Sequence, residues 1–441
     1  MPFSSRHEPQ DPKVAHTTAH KPARMVRLWP LGVALGLGAL VLWFSPSSSD
    51  KQEKPLSALA RLGQDIFHDT SLSASGQQSC ATCHRSEFGH ASANGLEKGG
   101  ATMQSLGTRN VPSIRYLQHR SELVFDQEGK ASGGFFWDGR AATLQAQAAE
   151  PLLNPLEMAN RNPQEVVARL SRTPYAKQFT ALNGEAIWQQ PEQALAAMGQ
   201  ALAAYQREDP DLQRFDSLFD RVMQGRARFN AAQERGWAVF KDEQKGNCAA
   251  CHSIEPAADG TPPLFTDHSY DNLGVPRRPD LPAAKTAADH DLGLCQNKQL
   301  ATRAGIGDLC GAFKVPSLRN VAVRQAFFHN ASLRDLREVL SFYATRDTHA
   351  THWYGQQQVF NDVPAKYRRN VNRSEVPYDQ KAGEQPRLNE QDIDDLLAFL
   401  QTLTDADLKN PAAKPRGAIA APGAAVRADR LAANPRAANT P

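Results

Sequence analysis

The sequence predicts a mainly α-helical protein with two related domains in tandem and long ordered loops. Three observations lead to this prediction. Apolar residues recur at helical spacing in several segments, and one unit of sequence occurs twice. The chain also holds 29 glycines and 29 prolines, which suit long ordered loops. Its 441 residues are enough for two or three domains of about 150 residues each.

The composition excludes several classes of protein. The 50 Lys and Arg residues nearly balance the 47 Asp and Glu residues, so the net charge is only +3. Without a large basic field, a nucleic-acid partner is not expected. Apolar residues make up 41% of the chain, which is enough to build cores and too much for a largely disordered protein. The six cysteines are too few for a small disulfide scaffold.

Both ends of the chain differ from its body. Residues 1–27 are polar, and residues 28–45 are apolar and uncharged, which predicts a transmembrane signal anchor. Basic residues precede this segment, so residues 1–27 are predicted to be cytoplasmic and the body to lie across the membrane. A cleaved signal peptide and a buried core helix are the alternatives. Residues 405–441, rich in Ala, Pro, Arg and Asn, predict a disordered tail.

The body contains the same unit twice, with loops of different length between the matching positions. This repeat predicts an N-terminal domain at 55–225 and a C-terminal domain at 226–404. The matching positions are Gly63 with Gly236, Phe67 with Phe240, Asp69 with Asp242, Val111-Pro112-Ser113 with Val315-Pro316-Ser317, and Phe135-Phe136-Trp137 with Phe327-Phe328-His329.

Four apolar stripes at helical spacing predict helices in these domains. Two of the helices have predicted N-terminal caps, at Ser332 with Asp335 and at Asn389. The stripes are Leu59, Leu62 and Ile66; Leu195, Met198, Leu202 and Tyr205; Leu333, Leu336, Leu340 and Tyr343; and Ile393, Leu396, Leu397 and Leu400.

Each copy of the repeat carries one Cys-x-x-Cys-His motif, the attachment signal for c-type heme. A zinc site would need a second nearby pair of ligands. A thioredoxin-like site would need no histidine and would sit in a βαβ unit. The two domains are therefore predicted to be cytochrome c-like, each with one covalent heme whose iron the histidine binds. The residues are Cys80, Cys83 and His84 in the first copy and Cys248, Cys251 and His252 in the second.

The two remaining cysteines, Cys295 and Cys310, are not followed by histidine. Outside the cytoplasm they are predicted to form a disulfide that closes a loop of ~15 residues, a stabilisation of about 3 kcal/mol. Two buried free thiols are the alternative.

The repeat also bears on the second axial face of each iron. Fourteen residues after Trp137 stands Pro151, and fourteen residues after the matching His329 stands Tyr343. Tyrosinate is a known heme ligand, whereas proline offers the iron nothing. The N-terminal heme is therefore predicted to be open and the C-terminal heme to be closed by Tyr343. A tyrosine of the hydrophobic core is the alternative.

Two polar residues flank Pro151 in the sequence. Gln147 and Glu157 are candidates for peroxide chemistry, because splitting a peroxide needs a group that takes a proton from one oxygen and returns it to the other. A partly buried carboxylate suits that task, and an amide can hold the oxygen. From spacing alone, Glu157 can equally be a surface acid.

Taken together, these motifs resemble the bacterial diheme cytochrome c peroxidase family, specifically its MauG-like branch. The resemblance covers Leu62 to Thr404. The segments that carry it are LSASG at 72–76, RNVPS at 109–113, FWDGR at 136–140, NPLEM at 154–158, FKVPSLRN at 313–320, FHN at 328–330 and FYATRD at 342–347.

Two departures from ordinary members of the family point to the MauG-like branch. Ordinary members close the second heme with a methionine, and Tyr343 stands at that place. They close the first heme with a loop histidine, and the chain has none between His90 and His119. Relatives with both departures, including the methanobactin-associated enzyme, use peroxide to oxidise a partner protein.

The resemblance implies roles for the remaining candidate residues. Trp137 is placed between the hemes as an electron relay, and Gln147 and Glu157 lie in the distal pocket of the open heme beside Pro151. Hydrogen peroxide is the expected oxidant. Electrons are expected from a periplasmic donor protein or protein substrate, through the heme of His252 and Tyr343.

The resemblance further implies a calcium ion between the hemes. Its expected ligands are Asn110 and the backbone carbonyls of Arg324 and Ala326, although the family usually has Thr and Pro at the last two places. The predicted location is the periplasm, with the inner membrane reached through residues 28–45.

Two rival functions remain open at this point. One is a conventional cytochrome c peroxidase fed by a small cytochrome or cupredoxin. The other is a diheme electron carrier without enzymatic activity.

Overall fold

A computed structural model of the protein describes residues 54–278, 280–281 and 290–409. The chain divides into two units, Met1–Gln52 and Glu53–Pro441, and all described residues belong to the second. The predicted cytoplasmic segment 1–27 and anchor 28–45 lie outside the described residues, as do residues 410–441 of the predicted tail. Among the helices of the described ranges, none is both long and apolar enough to cross a membrane.

The described chain is rich in helices, as predicted. In the N-terminal half the α-helices are α1 (Ala58–His68), α2 (Cys80–Cys83), α3 (Leu144–Ala149), α4 (Pro163–Leu170), α5 (Ala176–Asn183) and α6 (Pro191–Glu208). In the C-terminal half they are α7 (Leu218–Met223), α8 (Ala231–Lys241), α9 (Leu336–Thr345), α10 (Ala350–Tyr354), α11 (Glu390–Gln401) and α12 (Ala406–Lys409).

The strands of the described chain are short and form small two-stranded antiparallel sheets. Their pairs are β1 (Lys98–Gly99) with β2 (Ser105–Leu106), β3 (Val124–Phe125) with β4 (Ala131–Ser132), and β5 (Tyr270–Asp271) with β6 (Phe313–Lys314). Long loops and single 3₁₀ turns make up much of the rest.

Three of the predicted helices follow the apolar stripes. The stripe from Leu59 to Ile66 lies on α1, and the stripe from Leu195 to Tyr205 lies on α6. Asn389 caps α11 in a capping box, since its side chain accepts from the N–H of Asp392 while the Asp392 side chain accepts from the Asn389 N–H. These three predictions are confirmed.

The start of the fourth helix was predicted wrongly. The cap of α9 is Asp335 alone, whose side chain accepts from the N–H of Glu338, and the helix begins at Leu336. Leu333 is outside the helix because it pairs with Phe327 in an isolated β-bridge. Ser332 therefore precedes the helix without capping it.

The ordered chain also continues past the predicted end at Thr404. Asp405 is fully buried, and α12 follows it. Its carboxylate accepts from the Tyr116 hydroxyl, from Arg115 at 2.8 Å and from Asn320 at 2.7 Å. These bonds hold residues 405–409 against the body, so the part of the predicted tail that the structure describes is ordered.

The hydrophobic residues form two main cores. One contains residues between Leu62 and Leu212 and is built where α1 crosses α6. The other contains residues between Phe219 and Leu403 and is built where α8 crosses α11. The cores follow the two halves of the repeat, while the domain boundary near residue 225 stays a prediction.

The repeated glycines explain how closely these helices cross. A Cβ atom on Gly63 would lie 1.9 Å from the carbonyl oxygen of Ala201 on α6. A Cβ atom on Gly236 would lie at the same 1.9 Å from the carbonyl oxygen of Asp395 on α11. Only glycine permits this approach, so the same packing requirement accounts for both members of the repeated pair.

The repeat extends to the backbone of the loops. Phe136 and Phe328 both adopt left-handed conformations, with φ of 63° and 62°. The residue before each forms the same kind of bridge, in which the N–H of Phe135 or Phe327 donates at 2.9 Å to a carbonyl six residues onward. The two loops therefore place Trp137 and His329 at equivalent points of the two halves.

Candidate functional site

Two large cavities lie beside the two Cys-x-x-Cys-His motifs. The N-terminal cavity, of about 720 Å³, is lined by the first motif, and the C-terminal cavity, of about 200 Å³, by the second. Every predicted site residue lines one of them. The N-terminal cavity adds Gln147, Pro151 and Glu157, the C-terminal cavity adds Arg324, Ala326 and Tyr343, and both share Asn110 and Trp137.

Each motif forms a single tight turn that brings its cysteines and histidine to one cavity. The N–H of His84 donates to the carbonyl of Cys80 at 2.9 Å, at the end of α2. The N–H of His252 donates to the carbonyl of Cys248 at 2.8 Å, at the end of a 3₁₀ turn. Two separate parts of the chain thus reach the same local geometry.

Each histidine ring is oriented by backbone carbonyls. The Nδ1 atom of His84 lies 3.1 Å from the carbonyl oxygen of His90, and that of His252 lies 2.9 Å from the carbonyl oxygen of Phe265. These contacts leave Nε2 as the nitrogen that can bind a metal. Burial lowers the pKa of both imidazoles, which favours the neutral form that acts as a ligand.

The repeated Val-Pro-Ser runs hold the loops that carry those carbonyls. The Ser113 hydroxyl donates at 2.6 Å to the carbonyl of Gly89, the residue before His90. The Ser317 hydroxyl donates at the same distance to the carbonyl of Leu264, the residue before Phe265. This second part of the repeat thus supports the histidine contact in each half.

The residues present fit a covalent heme in each cavity. The four motif cysteines are free, and burial raises the pKa of each thiol to about 12. Two thiols and a neutral imidazole at the wall of a largely apolar cavity are the donor set that covalent heme c requires.

The wall of the N-terminal cavity carries a carboxyl group with an unusual environment. Burial raises the pKa of Glu157, while the nearby Arg140 opposes this shift. One carboxylate oxygen, Oε1, accepts a hydrogen bond of 2.7 Å from Asn154 Nδ2. The alternative of an exposed surface acid is therefore wrong, and the carboxyl lies on the same cavity as Gln147.

The C-terminal cavity carries a buried phenol. Burial raises the pKa of Tyr343, so without a metal the phenol is protonated. Its neighbour Tyr378, which sequence reasoning missed, has its ring centroid 5.9 Å away, and the Tyr378 hydroxyl partly opposes the rise in the pKa of Tyr343. Because 35 positions separate these tyrosines in the sequence, no local spacing links them.

Trp137 stands at the wall between the cavities. Its Nε1 donates at 2.8 Å to the carbonyl of Asn110, and its own carbonyl accepts from the N–H of Lys314 at 3.0 Å. It is therefore tied to both halves of the protein.

His329 lines both cavities as well, and sequence reasoning gave it no role. Its ring stacks on Phe313 with centroids 3.4 Å apart, and Nε2 lies 2.9 Å from an Asp362 oxygen without hydrogen-bond alignment. The pairing of His329 with Trp137 in the repeat is the signal that could have identified it.

The predicted calcium ligands are only partly together. The Asn110 amide nitrogen donates to the carbonyls of Ala326 at 3.1 Å and Phe328 at 3.0 Å. A cation would need the amide oxygen on that side instead, and the carbonyl of Arg324 takes no part in these contacts. No cluster of three acidic, histidine or cysteine side chains that could hold a metal ion occurs within the described ranges.

Cys295 and Cys310 form a disulfide, as predicted. The segment that it closes contacts the N-terminal half, because Asn297 Nδ2 donates to the carbonyl of Asp138 at 3.4 Å. Asp138 is the residue after Trp137. The disulfide thus closes a loop that lies next to the wall between the cavities.

Comparisons with known proteins agree with this geometry. The sequence profile of the di-haem cytochrome c peroxidase family matches residues 57–228. The methylamine utilization protein MauG of Paracoccus denitrificans is 36% identical, over 84% of this chain and 94% of the relative. Cytochrome c peroxidase Ccp of Escherichia coli is 30% identical, over 62% of this chain and 50% of the relative.

Solved structures are similar too. The crystal structure of the diheme peroxidase BthA from Burkholderia thailandensis has a TM-score of 0.76 and 34% identity, and covers 80% of this chain and 87% of that one. A MauG-like protein associated with microbial copper homeostasis has a TM-score of 0.56 and 28% identity, and covers 80% of this chain and 91% of that one. Membership of this family implies two c-type hemes. The chain belongs to the bacterial diheme cytochrome c peroxidase family, in its MauG-like branch, and is a heme-dependent oxidoreductase that acts on hydrogen peroxide.

Proposed function

We propose that the protein reduces hydrogen peroxide at the N-terminal cavity with electrons that arrive through the C-terminal cavity. The observation that carries this proposal is that only one of the two cavities has a side chain able to bind iron at this place of the repeat. Pro151 stands on the first cavity, and Tyr343 stands at the matching place on the second. When bound, each heme supplies an iron that exchanges electrons, and an open iron face also binds peroxide.

The cysteines and histidines of the two motifs would hold these hemes. Cys80 and Cys83 would form the thioether bonds of the first, with His84 on its iron. Cys248, Cys251 and His252 would do the same for the second. The phenolate oxygen of Tyr343 would occupy the remaining face of the second iron, which requires loss of its proton on metal binding.

In the N-terminal cavity, Glu157 would move the proton. Its carboxylate would take a proton from one peroxide oxygen and return it to the other as the O–O bond breaks. A raised pKa suits both transfers, because the group can then accept and release a proton nearer to neutral pH. The Gln147 amide would hold the oxygen, and each peroxide takes two electrons and two protons to give two waters.

Trp137 would pass electrons from the C-terminal to the N-terminal site, since its indole lies on both cavities. The sharper form of the proposal is that these electrons come from an aromatic side chain of a partner protein in the periplasm, as in the MauG-like branch. The partner loses the two electrons that peroxide gains. Export to the periplasm, with anchoring to the inner membrane through residues 28–45, is part of the proposal.

A calcium ion at Asn110 is a separate proposal. The contact of Asn110 with the Ala326 carbonyl supports it, because rotation of the amide would present its oxygen to the same point. Loss of the calcium bridge between the halves on chelation would be read as a change in the electron-transfer rate.

Electron paramagnetic resonance of the resting protein tests the central proposal. We expect one high-spin signal from the N-terminal site and one low-spin signal from the C-terminal site. Two low-spin signals would contradict the open site, including the case in which Met158, a core residue on the same cavity wall, binds the iron.

The two rival functions are separated by turnover. Rapid turnover of a reduced small cytochrome or cupredoxin with peroxide would favour a conventional peroxidase. Slow turnover with a long-lived oxidised state that absorbs in the near infrared would favour oxidation of a partner protein. A resting protein without high-spin heme that does not react with peroxide would be an electron carrier.

A further inference from the structure

Among the residues that the structure describes, three cations line the cavities without forming an ion pair: Lys314 is buried, and Arg120 and Arg324 are half-buried. Arg120 lines the N-terminal cavity, and Lys314 and Arg324 line the C-terminal cavity. Within the described part of the chain, none of the three forms an ion pair with a carboxylate. The buried arginines of the same ranges each have such a partner, as Arg319 has in Asp220.

The polar contacts of these cations are incomplete. The Lys314 ammonium donates to the backbone carbonyls of Gly133 and Gly134 and lies 4.9 Å from the centre of the Tyr270 ring. Arg324 donates one bond of 3.1 Å, from Nη2 to the carbonyl of Arg319, and its buried Nε has no hydrogen-bond partner. The side chain of Arg120 makes no hydrogen bond within the described ranges, and only its backbone N–H donates, to the carbonyl of Leu117 at 3.2 Å.

Arg120 repels each of the other two cations. Burial lowers the pKa of Lys314, and Arg120 lowers it further. Burial lowers the pKa of Arg324 to about 10, with Arg120 again contributing. The Asp138 carboxylate opposes this fall in the pKa of Lys314, but it is already bound by Arg109 at 2.7 Å.

Such an arrangement is unfavourable unless an anion is present. Buried charges in proteins are paired, because desolvation without a partner strongly disfavours the charged form. A guanidinium matches a carboxylate in shape as well as in charge. If the proposed function is correct, each cavity holds a porphyrin, and every heme porphyrin brings two carboxylate side chains with it.

We infer that Arg120 binds a carboxylate of the N-terminal heme, and that Lys314 and Arg324 bind the carboxylates of the C-terminal heme. This inference rests on the proposed function for the presence of both hemes. Besides binding the carboxylates, the three cations would raise the reduction potential of each site, since a positive charge close to a heme favours the reduced iron. The two sites would then be coupled through one positively charged seam, formed by Arg120, Lys314 and Arg324.

The test is the reduction potential of each site in the purified holoprotein. Arg120→Gln, Lys314→Gln and Arg324→Gln each remove one positive charge. At the potential that leaves the wild-type site half reduced, we expect the reduced-to-oxidised ratio of the adjacent heme to fall about tenfold. For a one-electron couple that is a shift of about 59 mV to lower potential. Lys314→Met is a second neutral variant, in case a glutamine variant does not fold.

Two controls isolate the charge. Arg172→Gln removes an exposed arginine remote from the seam and should leave both ratios within about twofold of wild type. Arg120→Lys and Lys314→Arg keep the charge and should do the same. Unchanged ratios in all neutral variants would overturn the inference. A wild-type potential that changes with added phosphate would overturn it too, by revealing an exchangeable anion in the seam.

Heme content separates this inference from the proposed function. Pyridine hemochrome analysis should give two hemes for each chain in wild type and variants. Fewer than two in the wild type would refute the proposed function and the inference with it. If two hemes are present and their reduction potentials do not change when the three cations are replaced, the inference alone is refuted.

Discussion

The indole Nε1 of Trp137 donates a hydrogen bond of 2.8 Å to the backbone carbonyl of Asn110, and both residues line both cavities. This bond fixes the ring at the wall between the two sites. Trp137→Phe keeps an aromatic ring there but removes the bond and makes the ring harder to oxidise. We expect peroxide to react with the N-terminal site at nearly the wild-type rate, while electrons from the C-terminal site arrive more slowly. Stopped-flow spectroscopy resolves the two steps.

Trp188→Phe is the matched control for that variant. Trp188 is also half-buried and donates a similar bond of 2.9 Å to Thr180 Oγ1, but it lines neither cavity. It should lose comparable stability and keep the wild-type electron-transfer rate. Equal rates in the two variants would remove Trp137 from the electron path.

Glu157→Gln should slow the reaction with peroxide by about 10²- to 10⁴-fold, the usual contribution of a general acid or base. The wild-type rate should fall as the pH is lowered through the pKa of Glu157, because a protonated carboxyl cannot take a proton from peroxide. Burial raises that pKa, so the inflection should lie above the pH at which an ordinary glutamate titrates.

The glutamine variant should lack this inflection while both hemes remain attached. Glu165→Gln, which changes a half-buried glutamate that is paired with the exposed Arg161 and lines neither cavity, should keep the wild-type pH profile. A profile that survives in Glu157→Gln would assign the proton transfer to another group.

Tyr343→His should raise the reduction potential of the C-terminal site, since a neutral imidazole stabilises oxidised iron less than a phenolate does. It should also shorten the life of the oxidised state formed with peroxide. Spectroelectrochemical titration and single-turnover decay measure the two effects. Neither would change if Tyr343 were only a core residue.

Tyr378→Phe serves as the graded control. It removes the hydroxyl that lowers the pKa of Tyr343 but leaves the Tyr343 phenol in place. We expect a shift of potential smaller than that of Tyr343→His and in the negative direction, because a phenolate without a donor binds oxidised iron more strongly. A larger shift than in the histidine variant would make Tyr378 the ligand.

The sequence was informative where a motif is local. The Cys-x-x-Cys-His turns and the Val-Pro-Ser runs act within one loop or on an adjacent one, and the repeat showed each of them twice. Counting along the repeat also paired Pro151 with Tyr343. Pro151 lines the N-terminal cavity and Tyr343 lines the C-terminal cavity, as this pairing requires.

Other features depend on parts of the chain that no periodicity connects. The burial of Asp405 depends on Arg115, 290 positions earlier, so the polar composition around residue 405 indicated a tail. Ser332 and Asp335 are both good cap residues, and only the bridge of Leu333 with Phe327 decides between them. The three unpaired cations are likewise brought together by folding alone.

The disulfide should contribute about 3 kcal/mol to the free energy of unfolding, by the loop-closure relation for ~15 residues. Cys295→Ser combined with Cys310→Ser should lower the denaturant midpoint accordingly. Wild type treated with a mild reductant should fall to the same midpoint, since thioether bonds to heme resist reduction. A midpoint unaffected by either treatment would mean that this loop is already ordered without its cross-link.

The repeated glycines give the most direct test of the packing. Gly63→Ala and Gly236→Ala would each place a methyl group 1.9 Å from a backbone carbonyl oxygen, on α6 and α11 respectively. Backbone cannot swing aside as a side chain can, so the helices must separate, and overpacking of this kind costs about 1–3 kcal/mol. Gly307→Ala is the control, because a Cβ atom there meets nothing within 4 Å. Chemical denaturation should show both helix variants destabilised and the control unchanged.

Since α1 and α8 each lead into a Cys-x-x-Cys-His turn, Gly63→Ala should also perturb the spectrum of the N-terminal heme selectively, and Gly236→Ala that of the C-terminal heme. A spectral change at both sites from either variant would argue against two separately packed halves.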